Sequence, residues 1–254
     1  IPLDSKINEA SINSKKIKKD DIFFAIKGKK NDGNNFIKES LDKGASFAVV
    51  NKIDRSTKVS KQLLVKDSLK SLTNISKKVR LNSLAKVIAI TGSCGKTSLK
   101  ELLGNIFGKI SKVSYSPKSY NNKYGVPLSI FNINKHDDFN IFEIGMDKKG
   151  EIDLLSKIIK PDVGVITNIS YAHAKNFKNL NQIADAKSEI INNINSNGSM
   201  VLNADDIFFK KHKKIALKKN LKIYSFSLRK PNTNVCIKKI IKLKNKYKIL
   251  INVN

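Results

Sequence analysis

Val87-Ile88-Ala89-Ile90-Thr91-Gly92-Ser93-Cys94-Gly95-Lys96-Thr97-Ser98 is the stretch on which the fold turns. Its opening apolar residues, rich in β-branched side chains, predict a short buried strand. Gly92 and Gly95 then bracket a turn that needs backbone without Cβ atoms. Beyond it, Leu99, Leu102, Leu103, Ile106, Phe107 and Ile110 recur at three- and four-residue spacing, which predicts a helix with an apolar stripe against the sheet and its N-terminus aimed at the turn. Unpaired N–H groups and the positive end of the helix dipole converge there, the requirements for holding an anion. Lys96 adds a point charge for β/γ-phosphate oxygens, and the Thr97 hydroxyl is placed to ligate Mg²⁺. Gly92 to Ser98 is therefore a candidate nucleotide-phosphate loop, in a short variant with two residues between its glycines where the usual pattern has four.

The composition is that of a globular chain of two domains: 254 residues, 40% hydrophobic and 7% aromatic. Apolar runs fall short of the roughly 20 residues that span a bilayer, and no charged-then-apolar leader opens the chain, so membrane insertion is not expected and the default compartment is the cytoplasm. Cys94 and Cys236 are far apart and in no metal-like spacing, which suits a reducing compartment. The net charge of +28 invites a nucleic-acid partner. Of the 49 basic residues, however, only Arg55, Arg80 and Arg229 are arginines, and base readers and bidentate phosphate clamps lean on arginine. The lysines are spread along the whole chain, so they predict a solvated surface that attracts anionic substrates, not a nucleic-acid interface.

Residues 1–83 read as a small α/β domain: strands at 22–26 and 47–50, a third near 63–65, and helices at 36–43 and 68–80, the latter with Ser68 as N-cap. From Lys86 onward strands and helices alternate, the pattern of a mostly parallel sheet flanked by helices. Strands are expected at 87–91, 112–115, 140–145, 163–168, 200–203 and 222–227. Helices are expected at 96–108, 122–131, 150–159, 180–194 and 205–219, with a closing hairpin at 235–243 and 246–253.

Ligands of such sheets bind at the carboxyl ends of the strands. Glu143, in an apolar strand, needs a cation or hydrogen-bond donors to offset its burial, and metal ligation is the direct relief. His173 comes after another strand in the same way; it is either a loop histidine or a ligand to Mg²⁺ or a phosphate oxygen. Lys187 reads as a solvated helix lysine, as it would in most proteins. Asn203 either caps a helix or meets a nucleotide base. His136 and His212 lie in surface-like Lys/Asp-rich context and carry no expected role.

Together, Thr91-Gly92-Ser93-Cys94-Gly95-Lys96-Thr97, Tyr120-Asn121-Asn122-Lys123-Tyr124-Gly125-Val126-Pro127-Leu128, Glu143-Ile144-Gly145, Asn168-Ile169-Ser170-Tyr171-Ala172-His173, Ala186-Lys187-Ser188-Glu189-Ile190 and Asn203-Ala204-Asp205-Asp206 resemble the Mur ligases in order and spacing. The Asn121 to Leu128 string is most similar to members that join D-alanyl-D-alanine to UDP-N-acetylmuramoyl-tripeptide, more than to those that add the third amino acid or to folylpolyglutamate synthases. Residues 11–17, 21–28 and 31–33 resemble the family's UDP-substrate domain. Asn13-Ser14-Lys15 stands where the family usually has Asp-Ser-Arg, Asn34 where it has His, and Cys94 where it has Asn, Ser or Thr.

The resemblance implies a UDP-substrate domain over 1–83 and a central ATP-binding domain over 84–254, with a third, ligase domain that this chain lacks, so that 1–254 is expected to be an inactive piece of a monomeric enzyme. It implies ATP and Mg²⁺ as cofactors, with ATP held by Gly92, Ser93, Cys94, Gly95, Lys96, Thr97, Ser98 and Asn203. One metal is implied at Thr97 and Glu143 and a second at His173 and Lys187, with Lys96, Lys187 and His173 catalytic. Ser14, Lys15, Asp32, Gly33, Asn121 and Asn122 are implied to hold the UDP-linked substrate. Related ligases carry a carbamate on the lysine matching Lys187. A Mur-like module that binds nucleotide without ligating, and a basic nucleic-acid binder, are the alternatives from other classes.

Overall fold

A computed structural model describes residues 7–28, 31–171 and 176–254. Two compact units emerge: Ile1–Ser83 with Pro127–Asn134, and Leu84–Val126 with Lys135–Asn254.

The first unit is a four-stranded, all-parallel sheet in the order β1 (Ala10–Ser11), β2 (Ile22–Phe24), β3 (Phe47–Val50), β4 (Gln62–Leu64). All of β2 and β3 is buried, as parallel strands covered on both faces must be. Helix α1 (Ile37–Asp42) adds Ile37 and Leu41 to a core with Phe23, Ala25, Ala48 and Val50. Helix α2 (Ser68–Asn82) is capped by Asp67, whose carboxylate accepts from Lys70 N at 2.9 Å, and not by Ser68, whose hydroxyl donates to Val49 O and Asn51 Oδ1. Residues 127–134, expected in the second domain, pack in this unit. Phe131 sits edge-on to Phe24, Pro127 O accepts from the buried Ser76 hydroxyl, and the Asn132 amide bonds both backbone groups of Ala10.

The second unit is an eight-stranded sheet in the order β12-β11-β10-β9-β8-β5-β7-β6. In chain order its elements are β5 (Lys86–Thr91), α3 (Lys96–Phe107), β6 (Val113–Tyr115), β7 (Phe139–Glu143), α5 (Glu151–Ile159), β8 (Val163–Ile166), α6 (Leu180–Ser188), β9 (Ser199–Asn203), α7 (Phe209–Lys218), β10 (Lys222–Ser227), β11 (Val235–Lys242) and β12 (Tyr247–Val253); between β6 and β7 lies α4 (Gly125–Phe131), whose residues from Pro127 on belong to the first unit. The strands pair in parallel except β12, which returns antiparallel on β11 as the expected closing hairpin. β5, buried from Val87 to Thr91, lies between β7 and β8. The chain crosses from one side of β5 to the other there, and sheets of this kind take their ligands at the carboxyl ends of the strands flanking such a crossing.

Several local expectations shift for physical reasons. In α3 only Leu99, Leu103 and Phe107 pack on the core of Ile88, Ile90, Ile141 and Val165, while Leu102, Ile106 and Ile110 stay exposed. The buried face runs through Lys100 and Gly104, and Gly104 brings the helix so near β6 that a Cβ there would lie 2.6 Å from the Tyr115 ring. The helix expected at 180–194 is α6 continued by a 3-10 stretch, Glu189–Asn193. The one expected at 205–219 starts only at Phe209, because the carboxylate of Asp206 turns the chain by accepting from Phe208 N and Ile169 N. His212, expected at the surface, is buried with Nε2 3.2 Å from Ala184 O, and burial holds its pKa below the usual range.

Candidate functional site

The candidate site is made by the segments that leave the carboxyl ends of β5, β7 and β8. β5 runs into the loop, where Gly92 has φ +145° and Gly95 φ +79°. A Cβ on Gly92 would lie 1.9 Å from Thr167 Oγ1, whereas one on Gly95 would meet open space. Gly92 thus serves close approach and Gly95 the left-handed turn that opens α3. The loop is stitched to the end of β8. Asn168 accepts from Ser93 N through its carbonyl at 2.9 Å and from Cys94 N through Oδ1 at 3.1 Å, while Thr167 Oγ1 donates to Cys94 O at 2.6 Å. The Ser93 hydroxyl, buried, donates to Ser170 O and accepts from Ser170 N. Asn168 had no assigned role in the sequence, and its place at a strand end was the signal for one. Thr91 Oγ1 is buried without a hydrogen-bond partner among the described residues.

Lys96 folds back over the loop it closes, donating to Gly92 O at 2.9 Å and Ser93 O at 3.3 Å. Lys187, carried to the same place by α6, also donates to Gly92 O at 2.9 Å. It is 2% exposed, so the expectation of a solvated helix lysine gives way to a buried amine at the loop. Burial, with the neighbouring charge of Lys96 second, pulls its pKa down to about 7.

At the first turn of α3, Thr97 Oγ1 donates to Glu143 Oε2 at 2.7 Å, and Asn121 Nδ2 donates to Glu143 Oε1 at 2.7 Å. Glu143 is 1% exposed, so among the described residues two neutral donors hold this carboxylate in place of a fixed cation. A hydroxyl and a carboxylate oxygen side by side are hard donors of the type Mg²⁺ takes, and that ion is commonly held by one or two protein oxygens with phosphates and water completing its shell. No group of three or more His, Cys, Asp or Glu side chains fit to hold a metal occurs among the described residues.

Ser98 and Cys94 are exposed at the mouth of the loop. Asn203 lies one strand over, its amide occupied by Thr167 O at 3.4 Å and Asp205 N at 2.9 Å, so it joins β9 to β8. Asn122 Oδ1 accepts from Gly125 N at the start of α4. His173 lies outside the described residues. In the first unit, the Ser14 hydroxyl donates to Glu39 Oε2 at 2.8 Å, the Lys15 N–H donates to Asn13, and Asp32 turns the chain through Asn34. The Asp32 carboxyl is held below its usual pKa by those Asn34 bonds. Gly33 passes so close to Ile26 that a Cβ would lie 2.5 Å from its nitrogen.

Fold and loop together define a phosphate-loop α/β protein with a carboxylate facing the first turn of the loop helix. The family model described as Mur ligase middle domain matches residues 90–254, and that described as Mur ligase family, catalytic domain, matches residues 6–91. The chain belongs to the Mur ligase family. It is 39% identical over 222 residues to the UDP-N-acetylmuramoyl-tripeptide--D-alanyl-D-alanine ligase of Rickettsia prowazekii, covering 86% of this chain and 49% of that protein. Among solved structures, MurF of Acinetobacter baumannii superposes with a TM-score of 0.84 at 30% identity, covering 96% of this chain and 53% of that one. MurF of Thermotoga maritima in complex with ADP gives 0.81 at 28% identity, covering 98% and 57%. The chain spans about half the length of the curated relatives it matches. No helix among the described residues is long and apolar enough to cross a membrane.

Proposed function

We propose that this chain supplies the UDP-substrate and ATP-binding parts of an amide ligase that joins D-alanyl-D-alanine to UDP-N-acetylmuramoyl-tripeptide in peptidoglycan precursor synthesis. The convergence of Lys96 and Lys187 on one carbonyl of the loop, opposite Thr97 and Glu143, carries this assignment. A carboxylate does not condense with an amine in water at a useful rate. Transfer of the γ-phosphoryl of ATP to the tripeptide carboxylate gives an acyl phosphate and ADP; attack by the dipeptide amine then forms the amide and releases phosphate.

The loop N–H groups and Lys96 hold the phosphates and offset their charge, a positioning and electrostatic role with no covalent enzyme intermediate. Thr97 and Glu143 are the oxygens suited to Mg²⁺, which when bound neutralises charge on the transferring phosphoryl. His173 and Lys187 are assigned to a second metal, Asn203 and Ser98 to the nucleotide, Asn121 and Asn122 to the peptide end of the substrate, and Ser14, Lys15, Asp32 and Gly33 to its UDP end. Cytoplasmic location and a monomeric state accompany this proposal, since ATP and a UDP-linked substrate are supplied there.

Lys96→Ala tests it. In the whole ligase to which this chain contributes, the variant should fold and lose roughly 10²-fold or more of dipeptide-dependent phosphate release, the usual scale for removing one preorganised charge from a transition state. Near-normal release by the intact variant would reject the loop assignment.

A further inference from the structure

Lys100 is fully buried in α3, one turn beyond Lys96 and three residues from Thr97. An ammonium without water is costly unless surrounded by acceptors, and this one has three: Ser116 O at 2.5 Å, Lys118 O, and Glu101 Oε1 at 2.9 Å. Two of the three belong to the irregular strap between β6 and α4. That strap does further work at the site. The Ser116 hydroxyl accepts from Glu143 N at 3.3 Å, Ser119 Oγ lies 3.5 Å from Thr97 Oγ1, and Asn121 donates its amide to Glu143 Oε1. The Asn121 carbonyl also takes Gly145 N at 2.8 Å, just past Glu143, and the chain turns at Lys118 with φ +49°.

We propose that Lys100 is a positioning residue for the metal-binding pair: by anchoring the strap through its carbonyls, it sets Asn121 and Ser116 against Glu143 and so fixes the carboxylate toward Thr97. The proposal rests on the assignment of Thr97 and Glu143 to Mg²⁺. Outer partners that orient a metal ligand typically change metal affinity 10–100-fold when removed, without contributing a ligand atom.

The test is calorimetric binding of ADP to the intact protein, in Mg²⁺ and in EDTA. Lys100→Met keeps the side-chain stem and removes the ammonium. It should leave ADP affinity in EDTA unchanged, because the loop is untouched, and should cut the gain in affinity conferred by Mg²⁺ about tenfold. Pairing it with Asn121→Ala should give less than the sum of the two losses, since both act through the strap. A lower melting temperature with the Mg²⁺ gain intact would overturn the proposal and leave Lys100 a structural residue. If Lys100→Met does not fold, Lys100→Gln, which keeps a donor, takes its place, and failure of both to fold would likewise overturn the positioning role. Glu143→Gln in parallel separates the two ideas. An undiminished Mg²⁺ gain in that variant would overturn the assignment of Glu143 itself, whereas a loss there and none in Lys100→Met would overturn the role of Lys100 alone.

Discussion

At the scale of single residues, Lys187 has the environment that most alters its chemistry. A lysine at its ordinary value of 10.5 offers almost no neutral amine at pH 7, whereas one near 7 is half neutral. The folded state therefore binds fewer protons than the unfolded chain between these values. The buried ammonium detracts from stability fully below about pH 7, and this penalty fades as pH rises toward 10.5. The neutral amine can add CO₂, giving a carbamate and releasing a proton, and the product is an anion with hard oxygens in place of a cation that would repel Mg²⁺. ¹³C-bicarbonate should give a carbamate NMR signal that weakens below pH 7 and is absent from Lys187→Ala. In the whole ligase, activity lost in that variant should return in part with short-chain carboxylates. Full activity of that variant of the whole ligase in bicarbonate-free buffer would remove Lys187 from the proposed metal site. Cys94, exposed on the loop, offers a separate check. Alkylation should block nucleotide binding and Mg-ATP should slow the alkylation; equal labelling rates with and without Mg-ATP would place Cys94 outside the nucleotide footprint.

At the scale of elements, the loop's two glycines serve different ends and should respond differently to a methyl group. Gly95→Ala forces an L-residue into a left-handed turn with open space around it, a cost of about 1–2 kcal/mol. Gly92→Ala adds a Cβ where Thr167 Oγ1 already stands and must part the loop from β8. Thermal melts and ADP titrations should show a modest loss for the first and loss of nucleotide binding for the second. Comparable behaviour of the two would mean that the junction of loop and β8 is softer than its hydrogen bonds indicate. Much of this was legible beforehand, because Gly-x-x-Gly-Lys-Thr after an apolar strand carries its local geometry. Asn168 and Thr167 as struts were not, since their partners lie 70 or more residues away in sequence.

At the scale of the whole molecule, a net charge of +28 on 254 residues makes the folded state repel itself. Raising ionic strength from about 0.01 M to about 0.15 M, which shortens the screening length from about 30 Å to about 8 Å, should raise the melting temperature. A flat or falling melting temperature over that range would show that local ion pairs outweigh the net repulsion. Periodicity and alternation along the chain predicted the strand and helix sequence closely, the closing hairpin included, because each element is set by neighbours within a few residues. They could not show that Pro127–Asn134 packs with the first unit, because a segment's packing partners are a property of the folded chain.

The sequence by itself determined a phosphate loop between a buried strand and a helix, a mostly parallel sheet around it, and membership of a family whose motifs run the length of the chain. These are local patterns, and backbone sterics with hydrophobic burial translate them directly into structure. Only the tertiary structure decided which of many lysines matter. Among the described residues, Lys96, Lys100 and Lys187 are drawn around this loop and the Thr97–Glu143 pair, two on Gly92 O and one on the strap behind Glu143. Their surroundings come from segments distant in sequence, and an ammonium's chemistry depends on whether water or carbonyl oxygens surround it.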